Sequence, residues 1–191
     1  MGSWAAPRDT GHDVAWLKDH IRDVPDFPTP GVVFKDLTPL LAQPHALALA
    51  VQAIGDPFHT AGITRVVGIE ARGFIVAAPV AITLGAGFVP VRKPGKLPWR
   101  TEEASYVLEY GTDTLAIHAD AVGEGDRVLI VDDVIATGGT AEATVELVRR
   151  LGATVVGLAF LVELGFLGGR RRLVESGASA PEDVHALVAF E

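Results

Sequence analysis

The segment 128–152, VLIVDDVIATGGTAEATVELVRRLG, constrains the fold of this chain more than any other stretch. It opens with apolar, β-branched residues typical of a buried strand, which we predict at Arg127–Val131. Two aspartates and a short loop follow, and Gly138 and Gly139 lead into a predicted helix at Thr140–Leu151. A buried strand joined by a short loop to an amphipathic helix is the repeating unit of an α/β fold.

The same alternation of strand and helix runs through the rest of the chain. We predict further elements from apolar spacing: buried strands at Arg65–Ile69, Phe88–Val91 and Thr154–Val162, and helices at Val14–Ile21, Pro44–Ile54 and Phe74–Leu84. Extended segments at Tyr106–Leu108 and Thr114–Ile117 border a hairpin-like turn. Strands that are apolar throughout are buried on both faces, so we predict a mostly parallel, twisted sheet flanked by helices. Ligands of such sheets bind at the carboxyl ends of the strands.

Composition limits the classes of function. The 191 residues suit one domain, for which we expect a flexible leader and short helix at 1–20 and a single domain at 21–191. The absence of cysteine excludes disulfides, thiolate metal sites and a cysteine nucleophile. With 16 Lys and Arg against 24 Asp and Glu, the net charge of −8 argues against a nucleic-acid or anionic-membrane partner.

No secretory or membrane signal is apparent in the sequence. The uncharged run from Phe74 to Val91 is the nearest match to a membrane span, but Pro79, Gly85 and Pro90 interrupt it. It is better explained by a buried helix, a turn and a buried strand. We therefore expect a cytoplasmic protein.

The loop before the predicted helix has the composition of a phosphate site. Gly138 and Gly139 remove side-chain bulk, so that backbone N–H groups can surround an anion, and Thr137 and Thr140 add hydroxyl donors. Asp132 and Asp133 suit a different partner, because carboxylates accept hydrogen bonds from ribose hydroxyls or approach Mg²⁺. A glycine-permitted turn beside two solvated aspartates is the simpler alternative. No Walker A pattern is present. VLIVDD is also similar to the acidic pocket of response-regulator receiver domains, but there the strand opens the domain.

These residues resemble a known family. VLIVDDVIATGGT is similar to the phosphoribosyl-pyrophosphate signature of type I phosphoribosyltransferases. DFPTPGVVFKDLTPLL, GIEARGF, GAGFVPVRKPGKLP, SYVLEYGTDTL and VELGFLGGR resemble the adenine-specific members, so that the resemblance covers residues 21–169. It implies an α/β fold with a small N-terminal hood at about 21–40 and a mobile lid loop at about 92–108.

The resemblance also implies a reaction. A pentosyltransferase of this family, which belongs to the glycosyltransferases, converts adenine and 5-phosphoribosyl 1-pyrophosphate to AMP and pyrophosphate in purine salvage. It implies Mg²⁺ carried mainly by substrate oxygens, with no direct protein ligand, and a homodimer.

Site residues carried over from the family fall into groups by the part of the substrate they contact. The 5′-phosphate is assigned to Ala136, Thr137, Gly138, Gly139 and Thr140; the ribose to Asp132, Asp133 and Tyr110; the pyrophosphate to Glu70, Ala71, Arg72, Arg92, Lys93 and Lys96; and adenine to Val33, Phe34 and Lys35. Glu109 is implied as the general acid–base group and Arg72 as the second catalytic residue.

Alternatives remain for several groups. Glu70 and Arg72 could form an ion pair at a strand end, the basic loop could be merely solvated, and Phe34 could belong to a buried strand. Arg170–Arg172 is interpreted as a solvated charge run, and the glycines of FLGGR as structural, without a helix after them. A transferase for hypoxanthine, guanine or xanthine, and a non-catalytic sensor of phosphoribosyl pyrophosphate, are the competing functions. The sequence shows neither an added helix-turn-helix nor the basic face that such a sensor usually needs.

Overall fold

Residues 14–107 and 111–191 are described by the computed structural model of the chain. The strands in this part are β1 (Arg22–Pro25), β2 (Val33–Asp36), β3 (Arg65–Ile69), β4 (Gly87–Val91), β5 (Thr101–Val107), β6 (Thr112–His118), β7 (Arg127–Ile135), β8 (Thr154–Leu164) and β9 (Val184–Phe190). The α-helices are α1 (Thr38–Ala42), α2 (Pro44–Gly55), α3 (Gly73–Thr83), α4 (Gly139–Arg150) and α5 (Gly169–Glu175). Short 3₁₀ helices occupy Val14–His20, Asp56–Phe58, Gly165–Leu167 and Pro181–Asp183.

A five-stranded parallel sheet forms the centre of the domain, in the order β4-β3-β7-β8-β9. Successive residues of its strands face opposite sides. In β3, Val67 packs in the cluster that includes α4, whereas Val66 packs in the cluster that includes α2 and α3. Both faces are therefore covered, which explains the nearly unbroken apolar sequence of β7. The prediction of a parallel sheet flanked by helices is confirmed.

Several elements differ from their predicted bounds. β7 continues to Ile135, because Asp132 pairs with Phe160 of β8 and the two aspartates stay within the ladder. β5 begins at Thr101, inside the segment predicted as a lid loop at 92–108, so that only residues 92–100 precede a strand. Its sequence looks polar because Glu102, Glu103 and Ser105 are exposed while Ala104 and Tyr106 are buried. β5 pairs with β6 in an antiparallel hairpin, as predicted.

The predicted hood contains a second antiparallel hairpin, in which β1 pairs with β2. Asp23 lies opposite Lys35, and Val24 opposite Phe34. Val33 is 48% exposed, so the alternative of a buried strand at this position is wrong. The 3₁₀ helix before the hood buries Leu17 in the same cluster as α2.

The uncharged run that ends at Val91 forms α3, a turn and β4, as predicted. Within the residues that the structure describes, no helix has the length and apolar character needed to cross a membrane.

Candidate active site

The carboxyl ends of β3 and β7 and the hood hairpin border one cleft of about 1010 Å³. Twelve of the predicted site residues line it: Val33, Phe34, Lys35, Glu70, Ala71, Arg72, Lys93, Asp132, Asp133, Ala136, Thr137 and Thr140. Arg92, Lys96, Gly138 and Gly139 are not among the lining residues, but Arg92 and Lys96 bond to Glu70, which is one of them, and the two glycines lie between Thr137 and Thr140. Glu109 and Tyr110 fall outside the described residues. The structure thus brings together groups that are more than 100 positions apart in the sequence.

The predicted phosphate loop packs tightly against the backbone of Gly169. Gly138 has φ +81° and precedes α4, and a Cβ atom there would lie 2.7 Å from the backbone oxygen of Gly169. A Cβ on Gly139 would lie 3.0 Å from the ring of Tyr106. Side chains at these two positions would fill space that is already occupied. The first N–H groups of α4 have no acceptor within the helix, so this loop can surround an anion.

Gly169 is one of the FLGGR glycines interpreted as structural, but its contact with the predicted phosphate loop was not foreseen. α5 begins at this residue, contrary to the expectation that no helix follows the FLGGR glycines. A Cβ on Gly169 would lie 2.3 Å from the oxygen of Ala136 and 3.0 Å from the nitrogen of Gly138. The start of α5 therefore packs directly against the predicted phosphate loop. The spacing of GG before a basic run could have indicated this helix.

Two of the three arginines of α5 form ion pairs with other elements, contrary to the expectation of a solvated charge run, whereas Arg171 is solvated, with 78% of its side chain exposed. Arg170 Nη2 lies 2.6 Å from Glu163 Oε2, and Arg172 Nε lies 2.7 Å from Glu142 Oε2. These ion pairs connect α5 to β8 and to α4, and Leu173 of α5 is buried in the cluster that includes α4.

Asp132 and Asp133 are nearly buried at the floor of the cleft. The backbone N–H of Asp133 donates to Asp132 Oδ1 at 2.9 Å. Burial, together with the charge of the adjacent Asp133, raises the pKa of Asp132 well above its ordinary value. Gly73, at the start of α3, packs directly against this carboxylate, since a Cβ there would lie 2.3 Å from Oδ1. Gly73 is thus a residue that the sequence interpretation did not single out.

Arg72 connects the turn after β3 to the acidic floor. Its Nε lies 2.6 Å from Asp133 Oδ2, but the N–H does not point along a hydrogen-bond direction. Among the described residues, Asp133 Oδ2 consequently has an ion pair and no hydrogen-bond donor. The Arg72 guanidinium also lies 5.4 Å from the centre of the Phe34 ring, which joins the floor to the hood.

Glu70 bonds to two cationic side chains of residues 92–100, the part of the predicted lid loop that precedes β5. It accepts from Arg92 Nε at 2.9 Å and from Lys96 Nζ at 3.4 Å, and the Glu70–Ala71 peptide bond is cis. Burial acts to raise the pKa of Glu70, but the bonds from Arg92, the Lys93 backbone and Lys96 outweigh it, so the pKa is lowered. Glu70 and Arg72 are therefore each in an ion pair, but with other partners: Glu70 pairs with Arg92 and Lys96, and Arg72 pairs with Asp133.

Asp113 and Tyr106 are cleft residues that the sequence interpretation did not assign. Lys93 Nζ donates to Asp113 Oδ2 at 2.8 Å, and the Tyr106 hydroxyl donates to the same oxygen at 3.3 Å. The hydrogen bond from Lys93 is the main reason that the pKa of Asp113 is lowered. Both residues lie within SYVLEYGTDTL, so the motif pointed to the hairpin but not to these side chains.

A group of apolar residues also lines the cleft and was not predicted. Its members come from the ends of β8 and β9 and from the 3₁₀ helix between β8 and α5: Leu164, Phe166, Leu167 and Phe190. Val32 and Val33, which are exposed, line the same cleft, so its lining combines apolar with charged residues. Such a lining suits a ligand in which a flat, largely apolar ring is attached to a phosphorylated sugar.

Comparisons with known proteins agree with the geometry. The family model "Phosphoribosyl transferase domain" matches residues 40–177. The adenine phosphoribosyltransferase of Acidothermus cellulolyticus is 61% identical over 170 residues, which are 89% of this chain and 94% of that protein.

Solved structures give the same result for the fold. The adenine phosphoribosyltransferase of Rhodothermus marinus superposes with a TM-score of 0.85 at 57% identity, over 93% of this chain and 98% of that chain. The Giardia lamblia enzyme in complex with 9-deazaadenine gives 0.87 at 36% identity, over 94% and 99%. The predicted fold class is confirmed, and the chain belongs to the adenine phosphoribosyltransferases of the phosphoribosyl transferase family.

Proposed function

We propose that this chain catalyses the transfer of a phosphoribosyl group to adenine. The products are AMP and pyrophosphate, so the reaction serves purine salvage as a pentosyl transfer. One observation carries the proposal: a single cleft is lined by residues of the predicted anion loop, by two aspartates, by the turn with Arg72 and by apolar side chains. The 9-deazaadenine complex of the Giardia lamblia relative supports adenine as the base.

Substrate binding is proposed to divide along the cleft. The loop Ala136–Thr140 holds the 5′-phosphate with backbone N–H groups and threonine hydroxyls. Asp132 and Asp133, with Tyr110, accept from the ribose hydroxyls. Glu70, Ala71, Arg72 and the lid cations Arg92, Lys93 and Lys96 hold the pyrophosphate group. Val33, Phe34 and Lys35 contact adenine.

The chemical step breaks the bond between C1′ of the ribose and the pyrophosphate oxygen and forms a bond from C1′ to N9 of adenine. Positive charge develops on the sugar ring, where the carboxylates of the cleft floor stabilise it. Arg72 stabilises the negative charge on the departing pyrophosphate because its guanidinium matches phosphate geometry. Glu109 accepts the proton that N9 loses. Without substrate, the lid cations are paired with Glu70 and Asp113, so pyrophosphate must compete with these two carboxylates for them.

We propose Mg²⁺ as the cofactor, carried mainly by substrate oxygens. The floor fits this ion, because Asp132 and Asp133 present carboxylate oxygens, the ligand type that Mg²⁺ prefers, and Asp133 Oδ2 has acceptor capacity left. When bound, the ion neutralises charge on the pyrophosphate group.

A homodimer and a cytoplasmic location are proposed on the family resemblance. Exposed apolar side chains on α3 and on the edge strand β4 support the dimer: Ile75, Ile82 and Phe88 are 45%, 80% and 38% exposed. Sedimentation velocity tests it, with a species of twice the chain mass expected and a monomer at micromolar concentration contradicting it.

A turnover assay tests the proposed reaction. The protein is incubated with adenine, phosphoribosyl pyrophosphate and Mg²⁺, with each component omitted in turn, and AMP is separated by chromatography. AMP should form only in the complete mixture. Gly138→Val should abolish AMP formation, because its side chain would occupy the space taken by Gly169. No product from adenine, or faster turnover of hypoxanthine or guanine in a parallel panel, would contradict the proposal.

A further inference from the structure

The hood hairpin has little apolar burial to hold it against the domain. None of the residues of β1 and β2 is buried. The hydrophobic effect, which fixes the central strands, therefore contributes little here. Individual polar and aromatic contacts must determine where the hairpin sits relative to the cleft.

One ring of the central sheet contacts both this hairpin and the 3₁₀ helix that precedes it. Phe190 is the last residue of β9 and pairs with Leu164 of β8. The Lys35 ammonium, from β2, lies 4.1 Å from the centre of the Phe190 ring, and the Lys18 ammonium, from the 3₁₀ helix before β1, lies 4.8 Å from it. Both distances are within the range of a cation–π contact.

The Lys35 side chain is fixed in this position. Its Nζ lies 2.5 Å from Asp23 Oδ1, directly across the hairpin, and only 13% of the side chain is exposed. An ammonium that is largely removed from water and faces an aromatic ring gains more from the contact than an exposed one does. Lys18 adds a bond from its Nζ to the backbone oxygen of Ala189, at 3.4 Å.

We propose that Phe190 is a positioning residue for the base pocket. Through Lys35 and Lys18 it holds the hood at the distance from the sheet that the base requires. The proposal rests on the proposed function in that Val33–Lys35 are taken to contact adenine. It assigns to the end of the chain a role in base affinity that is separate from phosphate and pyrophosphate binding.

A purely structural role for Phe190 would have different consequences. Loss of packing at the edge of the sheet would lower thermal stability and affect the kinetic constants for both substrates. A positioning role affects the hood and the base alone. It also depends on the aromatic face rather than on side-chain volume.

The test compares Phe190→Leu with Phe190→Tyr in the full chain. Leu removes the aromatic face, whereas Tyr keeps it. Phe166→Leu is the matched control for hood exchange alone, because this ring lines the same cleft and is 62% exposed; as part of the apolar lining it is not a control for KM for adenine. Hydrogen exchange of the β1 and β2 amides is measured by mass spectrometry, together with KM for adenine, KM for phosphoribosyl pyrophosphate, and kcat.

We expect Phe190→Leu to raise hood exchange and KM for adenine roughly tenfold, the factor that one desolvated cation–π contact of about 1.4 kcal/mol supplies. Exchange in α4, kcat and KM for phosphoribosyl pyrophosphate should change less than about twofold, and Phe190→Tyr should resemble the wild type. Unchanged hood exchange in Phe190→Leu, or an equal effect of Phe166→Leu on it, overturns the proposal. Faster hood exchange with an unchanged KM for adenine also overturns it. A wild-type protein that does not turn over adenine refutes the proposed function instead, and the exchange data still decide whether Phe190 holds the hood.

Discussion

Gly169→Ala is the substitution with the clearest consequence for the phosphate loop. The added Cβ would lie 2.3 Å from the Ala136 oxygen, whereas carbon–oxygen contacts of this kind normally begin at about 3.3 Å. Backbone atoms must therefore separate by roughly 1 Å. Gly138 would be displaced as well, because its nitrogen lies 3.0 Å from the same Cβ.

Two effects of this displacement can be measured. Overpacking of a tight site costs about 2 kcal/mol, which lowers Tm by roughly 4–8 °C for a chain of this length. A misplacement of about 1 Å in a group that positions substrate lowers rates by roughly 100-fold. We expect kcat/KM for phosphoribosyl pyrophosphate to fall by this factor, while KM for adenine stays within about threefold.

Initial rates at varied phosphoribosyl pyrophosphate, together with differential scanning calorimetry, are the assays. Gly165→Ala is the matched control, since it lies in the same GFLGG segment and its Cβ would meet, among the described residues, only Phe190 O at an ordinary 3.4 Å. A Gly169→Ala protein with wild-type kcat/KM and Tm would refute the packing argument. A lowered Tm with unchanged kcat/KM would refute the assignment of the loop to the 5′-phosphate.

Three further substitutions test other parts of the site. Gly73→Ala should lower kcat/KM for phosphoribosyl pyrophosphate roughly 10- to 100-fold, because its Cβ would displace the Asp132 carboxylate; Gly123→Ala, with open space around it, should be silent in the same assay. Asp132→Asn should raise Tm at pH 8. The pKa of Asp132 is higher in the folded than in the unfolded protein, so the contribution of this carboxyl to the free energy of unfolding is fully present at low pH. It is lost as the pH rises from 3.8 through the raised folded-state pKa. Thermal scans from pH 4 to 8 should show that the Tm difference between Asp132→Asn and the wild type grows with pH. A Tm difference that is the same at every pH would contradict titration of Asp132 as its cause. Glu109→Gln should lower kcat roughly 10²- to 10⁴-fold with little change in KM for phosphoribosyl pyrophosphate, and an unchanged kcat in steady-state assays would remove it from the mechanism.

The central sheet was the part most accessible from sequence. The strand at Arg65–Ile69 was predicted with its observed bounds, because Val66, Val67 and Ile69 are apolar and β-branched, a composition typical of a short buried strand. β9 was missed, although most of its residues are apolar, because it follows a polar stretch without a preceding helix signal. β5 was missed in part because an edge hairpin needs apolar residues only on alternate positions.

Residue types were easier to predict than partners. The sequence pointed to Glu70, Arg72 and the lid cations as a group, but the pairing of Arg72 with Asp133 depends on two strands meeting at one sheet edge. Contacts such as that of Gly169 with Ala136, or of Lys35 with Phe190, join segments that are 33 and 155 positions apart. Local patterns carry no information on such distances, and these contacts shape the cleft.

The most direct test of the account is a crystal structure of the protein with AMP bound. We predict the phosphate within hydrogen-bond distance of the backbone N–H groups of Thr137–Thr140, the ribose hydroxyls on Asp132 and Asp133, and the adenine ring against Phe34. A phosphate bound at Arg72 or at the lid cations, with the adenine ring away from the hood, would contradict it.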